Sequence, residues 1–337
     1  MDSGYKLILK RNDPIKFWSA FKRITQEYKY ISARFDPDLI EYYFLRAQDE
    51  DFEIEDYSCI FIFNDIPFFA FLGALFSRDD KKTLNLFEMP CLAIDSLSVS
   101  QSQKKKINEF LVKLLSLDFD IFTIKGPDYN IKLPLICELL LLVPESIINV
   151  EMSKTIDLEK NESELKRNIR KSYHSLINWG IRELSIEIHD NSNIKWDIME
   201  KFRRLHIEAA KRETRSIRTW EKQYKAIKDG SSFCVTATSN LGLVSAAFFI
   251  LSYNSCYYGS SASNRSLFDK PLNHCIIWKA ILESKRKGAL LFDIGSTYLD
   301  ESKIKSTKKE KNIAYFKEGF GGKQTLNYFI EYAKKVI

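Results

Sequence analysis

The sequence predicts an α/β protein of two tandem units, residues 1–150 and 151–337. Three observations carry that expectation. At 337 residues the chain is long enough for two ordinary domains. Segments with helical spacing of apolar residues alternate with short β-rich runs in both halves. A hairpin signal preceded by two helices occurs twice, at Asn64-Asp65 and at Asn240-Leu241-Gly242, about half the chain apart, as an internal duplication would place it.

The first unit opens with a strand at Tyr5 to Leu9. Asp13-Pro14 then reads as a helix cap and first-turn proline, with Phe17, Trp18, Phe21 and Ile24 at helical spacing behind it. A second helix follows from Asp38 to Ala47. Ser58 to Phe63 and Pro67 to Phe76 form the first hairpin. Lys104 to Leu115 is an amphipathic helix, Phe119 to Lys125 a strand and Gly126-Pro127 a turn. Leu133 to Pro144 fits a buried strand or core helix, and Glu145 to Lys154 reads as a loop marking the boundary.

In the second unit, Asn161 or Ser163 caps a helix carrying Leu165, Ile169, Tyr173 and Leu176, with Gly180 as its terminator. The strand Leu184 to Ile188 comes next. Trp196, Met199, Phe202, Leu205 and Ala209 mark a further helix, and Thr219 caps another. Phe233 to Ala237 and Leu243 to Leu251 make the second hairpin, and Cys256 to Ser261 closes the meander. A helix through Ile277, Ala280, Ile281 and Ser284 to Gly288 then leads into the strand Leu290 to Ser296.

Composition limits the function classes. Hydrophobic residues make up 45% of the chain and aromatics 13%, with 12 Gly and 8 Pro, so disordered and collagen-like classes are excluded. Charge is mild, at a formal +6. No apolar run reaches the roughly 18 residues of a membrane span. The amino terminus lacks a secretory pattern, so the expected compartment is the cytoplasm. Cys59, Cys91, Cys137, Cys234, Cys256 and Cys275 stand singly, which with four His in total predicts buried thiols and no metal site.

Candidate chemistry concentrates in the second unit. Tyr257-Tyr258-Gly259-Ser260-Ser261-Ala262 ends a strand, and Lys270-Pro271-Leu272-Asn273-His274 leads into a helix. A helix start presents unpaired N–H groups and a positive dipole end, which suits an anionic phosphate or is simply capped. Asp293 ends an apolar strand, where a carboxylate either enters a site or initiates a turn. Lys303, Lys305, Lys308, Lys309 and Lys311 form a basic stretch. In Phe316-Lys317-Glu318-Gly319-Phe320-Gly321-Gly322, three glycines within four positions imply a tight backbone path or a close ligand approach. Arg212 and Arg215 offer bidentate donors, Trp220 a stacking face and His206 an imidazole. No hydrolase elbow, metalloprotease or kinase signature occurs.

Taken in order, Leu165 to Lys171, Leu205-His206 with Arg212 to Arg215 and Trp220, Tyr257 to Ala262, Pro271 to His274, Phe292 to Gly295 and Phe316 to Gly322 resemble the Fem-type (FemAB-like) acyltransferases of the GNAT superfamily. The resemblance covers roughly Met152 to Phe329. It implies two tandem GNAT-like domains, each a mixed sheet flanked by helices, and a closeness to the CoA-dependent members tied to surface-polysaccharide biosynthesis. The implied function is N-acyl transfer, with an acetyl group the first expectation, from acyl-CoA to an amino sugar or nucleotide sugar. Transfer of an amino acid from aminoacyl-tRNA to a cell-wall or glycan precursor is the first alternative, a non-catalytic binding module the second. The absence of the long helical hairpin found in several Fem enzymes weighs against tRNA.

Carried onto this sequence, the resemblance places the donor at Tyr258, Gly259, Lys270, Leu272, Asn273 and His274. The candidate bases are Asp293 and His206. Arg212, Arg215, Trp220 and Lys317 are the acceptor contacts.

Overall fold

The computed structural model describes residues 4–126, 132–297 and 307–334. The chain forms two compact units: Met1–Ile31, Tyr43–Glu151 and Leu326–Ile337 in the first, Ser32–Tyr42 and Met152–Thr325 in the second. The change of unit at Glu151 falls beside the expected division, while Ser32–Tyr42 and Leu326–Ile337 exchange sides. Among the described residues, no helix is long and apolar enough to cross a membrane.

In chain order the first unit begins with β1 (Tyr5–Leu9), α1 (Pro14–Thr25) and α2 (Pro37–Asp49), whose Pro37–Tyr42 part lies in the second unit. Asp13 caps α1 by accepting the Lys16 N–H at 3.0 Å, and Phe17, Phe21 and Ile24 face inward. Next come β2 (Glu53–Asp56), β3 (Cys59–Phe63), β4 (Ile66–Leu72), β5 (Ala74–Arg78), β6 (Lys81–Asn85), β7 (Cys91–Asp95), α3 (Gln101–Leu115), β8 (Ile121–Lys125), α4 (Leu135–Leu140) and β9 (Ser146–Asp157). The strand order is β1-β3-β4-β7-β8, antiparallel except where β7 meets β8. The expected hairpin is present, and both Asn64 (φ 47°) and Asp65 (φ 62°) take the left-handed conformation that a tight turn requires.

Three local expectations change. The run Pro67 to Phe76 divides between β4 and β5 at Gly73, where a Cβ would lie 2.3 Å from Cys91 Sγ. Strands β6 and β7 went unread because neither shows a long alternating pattern. The segment read as a loop, Glu145 to Lys154, lies almost wholly in β9, since Ile147, Ile148 and Val150 favour extended backbone over the turn signal of Pro144-Glu145. Pro127 lies outside the described residues.

The second unit continues with α5 (Glu162–Asn168), α6 (Lys171–Glu183), β10 (Ser185–His189), α7 (Trp196–Ala210), α8 (Ile217–Lys228), β11 (Ser232–Ser239), β12 (Gly242–Ser252), β13 (Ser255–Ser263), α9 (Leu272–Arg286), β14 (Leu291–Thr297), α10 (Lys308–Glu318) and β15 (Lys323–Ala333). Strands run in the order β10-β11-β12-β13-β14, antiparallel except for β13 and β14. The Met152 to Asp157 part of β9 flanks β14. Alternation divides the sheet's two faces. Phe233, Ala247, Phe249 and Phe292 enter the core under α6 and α9. Helices α7 and α8 pack on β11, β12 and β13, burying Phe202 and Trp220.

One expected helix is in fact two. Asn161 does cap α5, in a capping box with Glu164, but Ile169 and Arg170 are extended (ψ 144° and 130°) and α6 starts afresh. Gly180 lies inside α6, where a Cβ would come 2.5 Å from Cys275 Sγ, so it serves helix packing rather than termination. Thr219 sits within α8, its hydroxyl donating to Ser216 O at 2.7 Å, and Ser216 occupies the cap position.

Candidate active site in the second unit

The two parallel strands β13 and β14 are in register only over Ser255–Tyr257 against Leu291–Asp293. Beyond those residues they part, for reasons visible in each strand. In β13, Phe249 opposes Tyr258 and Phe248 opposes Ser260, so Gly259 is the extra residue of a β-bulge and is exposed. In β14, the register against β9 shifts between Asp293 and Ser296, and Gly295 has φ +89°. The fully buried Asp293 carboxylate holds that kink by accepting the Gly295 N–H at 2.7 Å.

Around this opening stand several polar groups. Lys317, from α10, donates to Ser296 O at 3.1 Å, and its Nζ lies 2.9 Å from where a Gly295 Cβ would be. Tyr257 carries the Arg34 guanidinium 5.0 Å above its ring. Tyr258 stacks on Phe249, donates to Ser261 Oγ, and has its phenol pushed up by burial. Ser260 Oγ is buried with no hydrogen-bond partner among the described residues.

The start of α9 adjoins β13 in sequence. Pro271 occupies its cap position and no side chain caps the first turn. Backbone carbonyls take the Leu272 and His274 N–H groups, the latter loosely at 3.3 Å. Asn273 Oδ1 accepts from Ser245 Oγ at 2.7 Å, tying the helix to β12. Leu272 is buried, and exposed Lys270 pairs with Asp269 at 3.0 Å. His274 sits edge-on to Tyr173 at 4.4 Å and to Phe316 at 5.1 Å. Burial lowers its imidazole to about 4, so it is neutral near pH 7. Its side chain belongs to an aromatic cluster, and its N–H already meets Pro271 O.

A separate cluster lies on the α7–α8 side. Arg215 stacks 3.8 Å over Trp220 and donates to Tyr42 Oη at 2.9 Å and Gln223 Oε1 at 3.0 Å. Trp220 is 1% exposed, with Phe202 and His206 at its edges, so its ring is not an open stacking face. His206 is held down at about 4, first by burial and then by the charge of Arg215, and its Nδ1 is 3.4 Å from Thr214 Oγ1. Arg212 is exposed beyond the left-handed end of α7 at Lys211.

The structure thus brings Asp293, Lys317, Tyr258 and Gly259 to one opening and sets His206, Arg215 and Trp220 in another cluster. The glycine-rich segment resolves toward a tight backbone path. A Cβ on Gly319 would lie 2.1 Å from the Tyr173 ring, one on Gly321 2.5 Å from Asn168 O, and one on Gly322 2.4 Å from Thr155 O. Of the basic stretch, Lys308, Lys309 and Lys311 begin α10, while Lys303 and Lys305 lie outside the described residues. The candidate stretch Tyr257 to Ala262 does border the site, whereas Arg34 and Tyr42 carry no sequence signal for it. These two come from a segment some two hundred residues away in sequence, and nothing in their local pattern signals it.

No protein-family model matches the chain, and no curated protein matches its sequence. Solved structures do. FemX is similar with a TM-score of 0.62 at 13% identity over 87% of this chain and 91% of that one. L-PGS from Bacillus licheniformis has a TM-score of 0.54 at 12% identity, covering 79% and 82%. A tandem GNAT protein from the clavulanic acid biosynthesis pathway has a TM-score of 0.50 at 8% identity, covering 97% and 98%. The fold is a tandem GNAT fold. At these identities the likeness is one of architecture alone, so chemistry has to be argued from the site.

Proposed function

We propose that the second unit is an acyltransferase site, with its donor lying between β13 and β14 and against the start of α9. One observation carries this: both parallel pairs part after two or three residues, but the helix after the second unit's pair has no side-chain cap, whereas in the first unit protein groups cap the helix and occupy the end of the strand. There β7 and β8 pair in parallel over Cys91–Leu92 and Ile124–Lys125, and α3 follows β7 as α9 follows β13. Ser100 and Gln103 close the start of α3 in a capping box. Asp95, at the end of β7, accepts the Leu135 N–H at 2.7 Å, which anchors α4 with Ile136 and Cys137 fully buried.

We read the reaction as N-acyl transfer from acyl-CoA to the amine of an amino sugar or nucleotide sugar. The thioester would supply an activated acyl carbon. The positive dipole end of α9 favours a pyrophosphate, and the exposed bulge at Gly259 presents backbone where negative charge develops. Removing a donor of that kind typically costs on the order of 3 kcal/mol in transition-state stabilisation. Lys317 supplies positive charge at Gly295 on β14. Asp293 is a positioning group in this scheme, since it is buried and holds Gly295. His206 is a poor base near pH 7 and lies in the other cluster.

The likeness to FemX keeps aminoacyl-tRNA as the rival donor. Titration calorimetry with acetyl-CoA, and tRNA binding at rising salt, separate the readings. Saturable acetyl-CoA binding supports the proposal. Binding of tRNA alone, with a steep salt dependence, transfers the site to the rival, and failure of both leaves a non-catalytic module.

A further inference from the structure

The segment Ser32–Tyr42 belongs to the second unit although the chain on either side of it belongs to the first. It reaches both clusters described above. Arg34 lies over the ring of Tyr257, the residue opposite Asp293 in the β13–β14 register, and Tyr42 Oη accepts from Arg215.

Ala33, Phe35 and Ile40 are fully buried, the Ala33–Phe35 turn packing on β12 and β13, and partly exposed polar groups add to the fastening. Asp38 pairs with Lys222 of α8 at 2.8 Å and accepts from Ser231 Oγ at 2.9 Å, while Glu41 lies 3.7 Å from the same lysine. Asp36 is 3% exposed and accepts the Asp38 N–H at 2.9 Å. A small cavity lies beside it, its polar lining including Asp36, Asp38, Tyr42, Lys222, Gln223 and Ser232. Ser232, 3% exposed, has an Oγ with no partner among the described residues.

We propose that Ser32–Tyr42 is a positioning strap for the second unit's site, holding Arg215 through Tyr42 and Tyr257 through Arg34, and seated more firmly while Asp36 carries a proton. The proposal rests on the reading of that site as the place of transfer. Around Asp36, β12 contributes the Ser252 hydroxyl, which donates to it, and the turn after β12 contributes Tyr253. The strap itself contributes the Asp38 carboxylate, and α8 contributes Lys222, already paired with Asp38. Lys222 lines the same cavity as Asp36, with its ammonium 2.8 Å from Asp38. Burial first, and then the Asp38 charge, lift its carboxyl to about 7 against these hydrogen bonds. The protonated form predominates about tenfold at pH 6 and is a small minority at pH 8.5. Ionisation puts a second negative charge beside Asp38 at a buried position, weakening the docking that Tyr42 and Arg34 depend on.

The test is hydrogen exchange of the full chain at pH 6 and pH 8.5, corrected for intrinsic exchange rates, comparing wild type with Asp36→Asn. Asparagine keeps the oxygen that accepts the Asp38 N–H and is as good a helix cap as aspartate, so the variant removes the charge and leaves the turn. The expected result is a loss of protection in peptides spanning Ser32–Tyr42 and Thr214–Tyr224 at pH 8.5, about tenfold in wild type and absent in Asp36→Asn. Tyr42→Phe serves as the second variant and loosens the Arg215 peptide at both pH values while leaving Asp36-dependent exchange in the strap. Equal wild-type protection at the two pH values, or the same loss in Asp36→Asn, overturns the strap. Donor calorimetry at pH 6 reports separately on the transfer reading, because strap exchange needs no ligand.

Discussion

Replacing Gly295 by alanine tests the geometry of the opening most sharply. The backbone there sits at φ +89°, and the new methyl would come 2.9 Å from Lys317 Nζ. Forcing an L-residue into positive φ costs about 1–2 kcal/mol. Moving the ammonium off Ser296 O forfeits a charge-assisted hydrogen bond worth about 1.5–3 kcal/mol if its partners are left buried, and less where water replaces them. The expected destabilisation is therefore about 2–4 kcal/mol, several degrees in Tm for a unit of this size. Denaturant unfolding of Gly295→Ala, Lys317→Ala and the double variant separates the parts. In the Lys317→Ala background, Gly295→Ala should retain only the backbone cost, giving a coupling of about 1–2 kcal/mol. Additive losses would refute the placement of Lys317 over Gly295.

Three further outcomes are expected. Ser100→Ala should lower stability by about 1 kcal/mol through the lost α3 cap and leave acetyl-CoA affinity unchanged; a drop in affinity measured by calorimetry would move the donor to the first unit. Gly319→Ala should destabilise the second unit by about 1–3 kcal/mol, because its methyl overlaps the Tyr173 ring and overpacking is costly; an unchanged melting midpoint contradicts that packing. For His206 and His274 the folded state lowers the imidazole to about 4, below the ordinary value near 6.5. The unfolded chain therefore binds more protons on these two rings between those values, a loss of stability on acidification that the buried carboxyls of Asp36 and Asp95, raised to about 7 and about 6, oppose. His274→Phe, which keeps an aromatic among Tyr173, Phe316 and Phe320, removes one ring's share, so its stability relative to wild type should rise as pH drops from 6.5 to 4 in urea titrations; a difference that does not change with pH would count against the neutral, buried imidazole.

Much of the architecture was legible because it is written in local patterns. Asp13-Pro14 announced α1, the Asn64-Asp65 and Asn240 to Gly242 turns announced both hairpins, and the spacing of Met199, Phe202 and Leu205 gave α7 its buried face. What was not legible depends on distance in sequence. The unit exchange of Ser32–Tyr42 arises from Asp38 meeting Lys222 and Tyr42 meeting Arg215, pairings that no periodicity encodes. The site shows the same division. Asp293 and Lys317 stood out as polar residues in apolar or glycine-rich surroundings, and the structure places both at Gly295. Trp220 and His274 looked available for a ligand because an isolated sequence cannot show that neighbouring rings already occupy their faces.

The central claim is that the donor occupies the second unit and that the first unit's equivalent place is filled by protein. Hydrogen exchange of the full chain with and without saturating acetyl-CoA tests it directly. The account predicts new protection in peptides covering Tyr257 to Ser263 and Lys270 to His274, with Asp95 to Gln103 unchanged. Protection at Asp95 to Gln103 instead, or no protection anywhere, would contradict it.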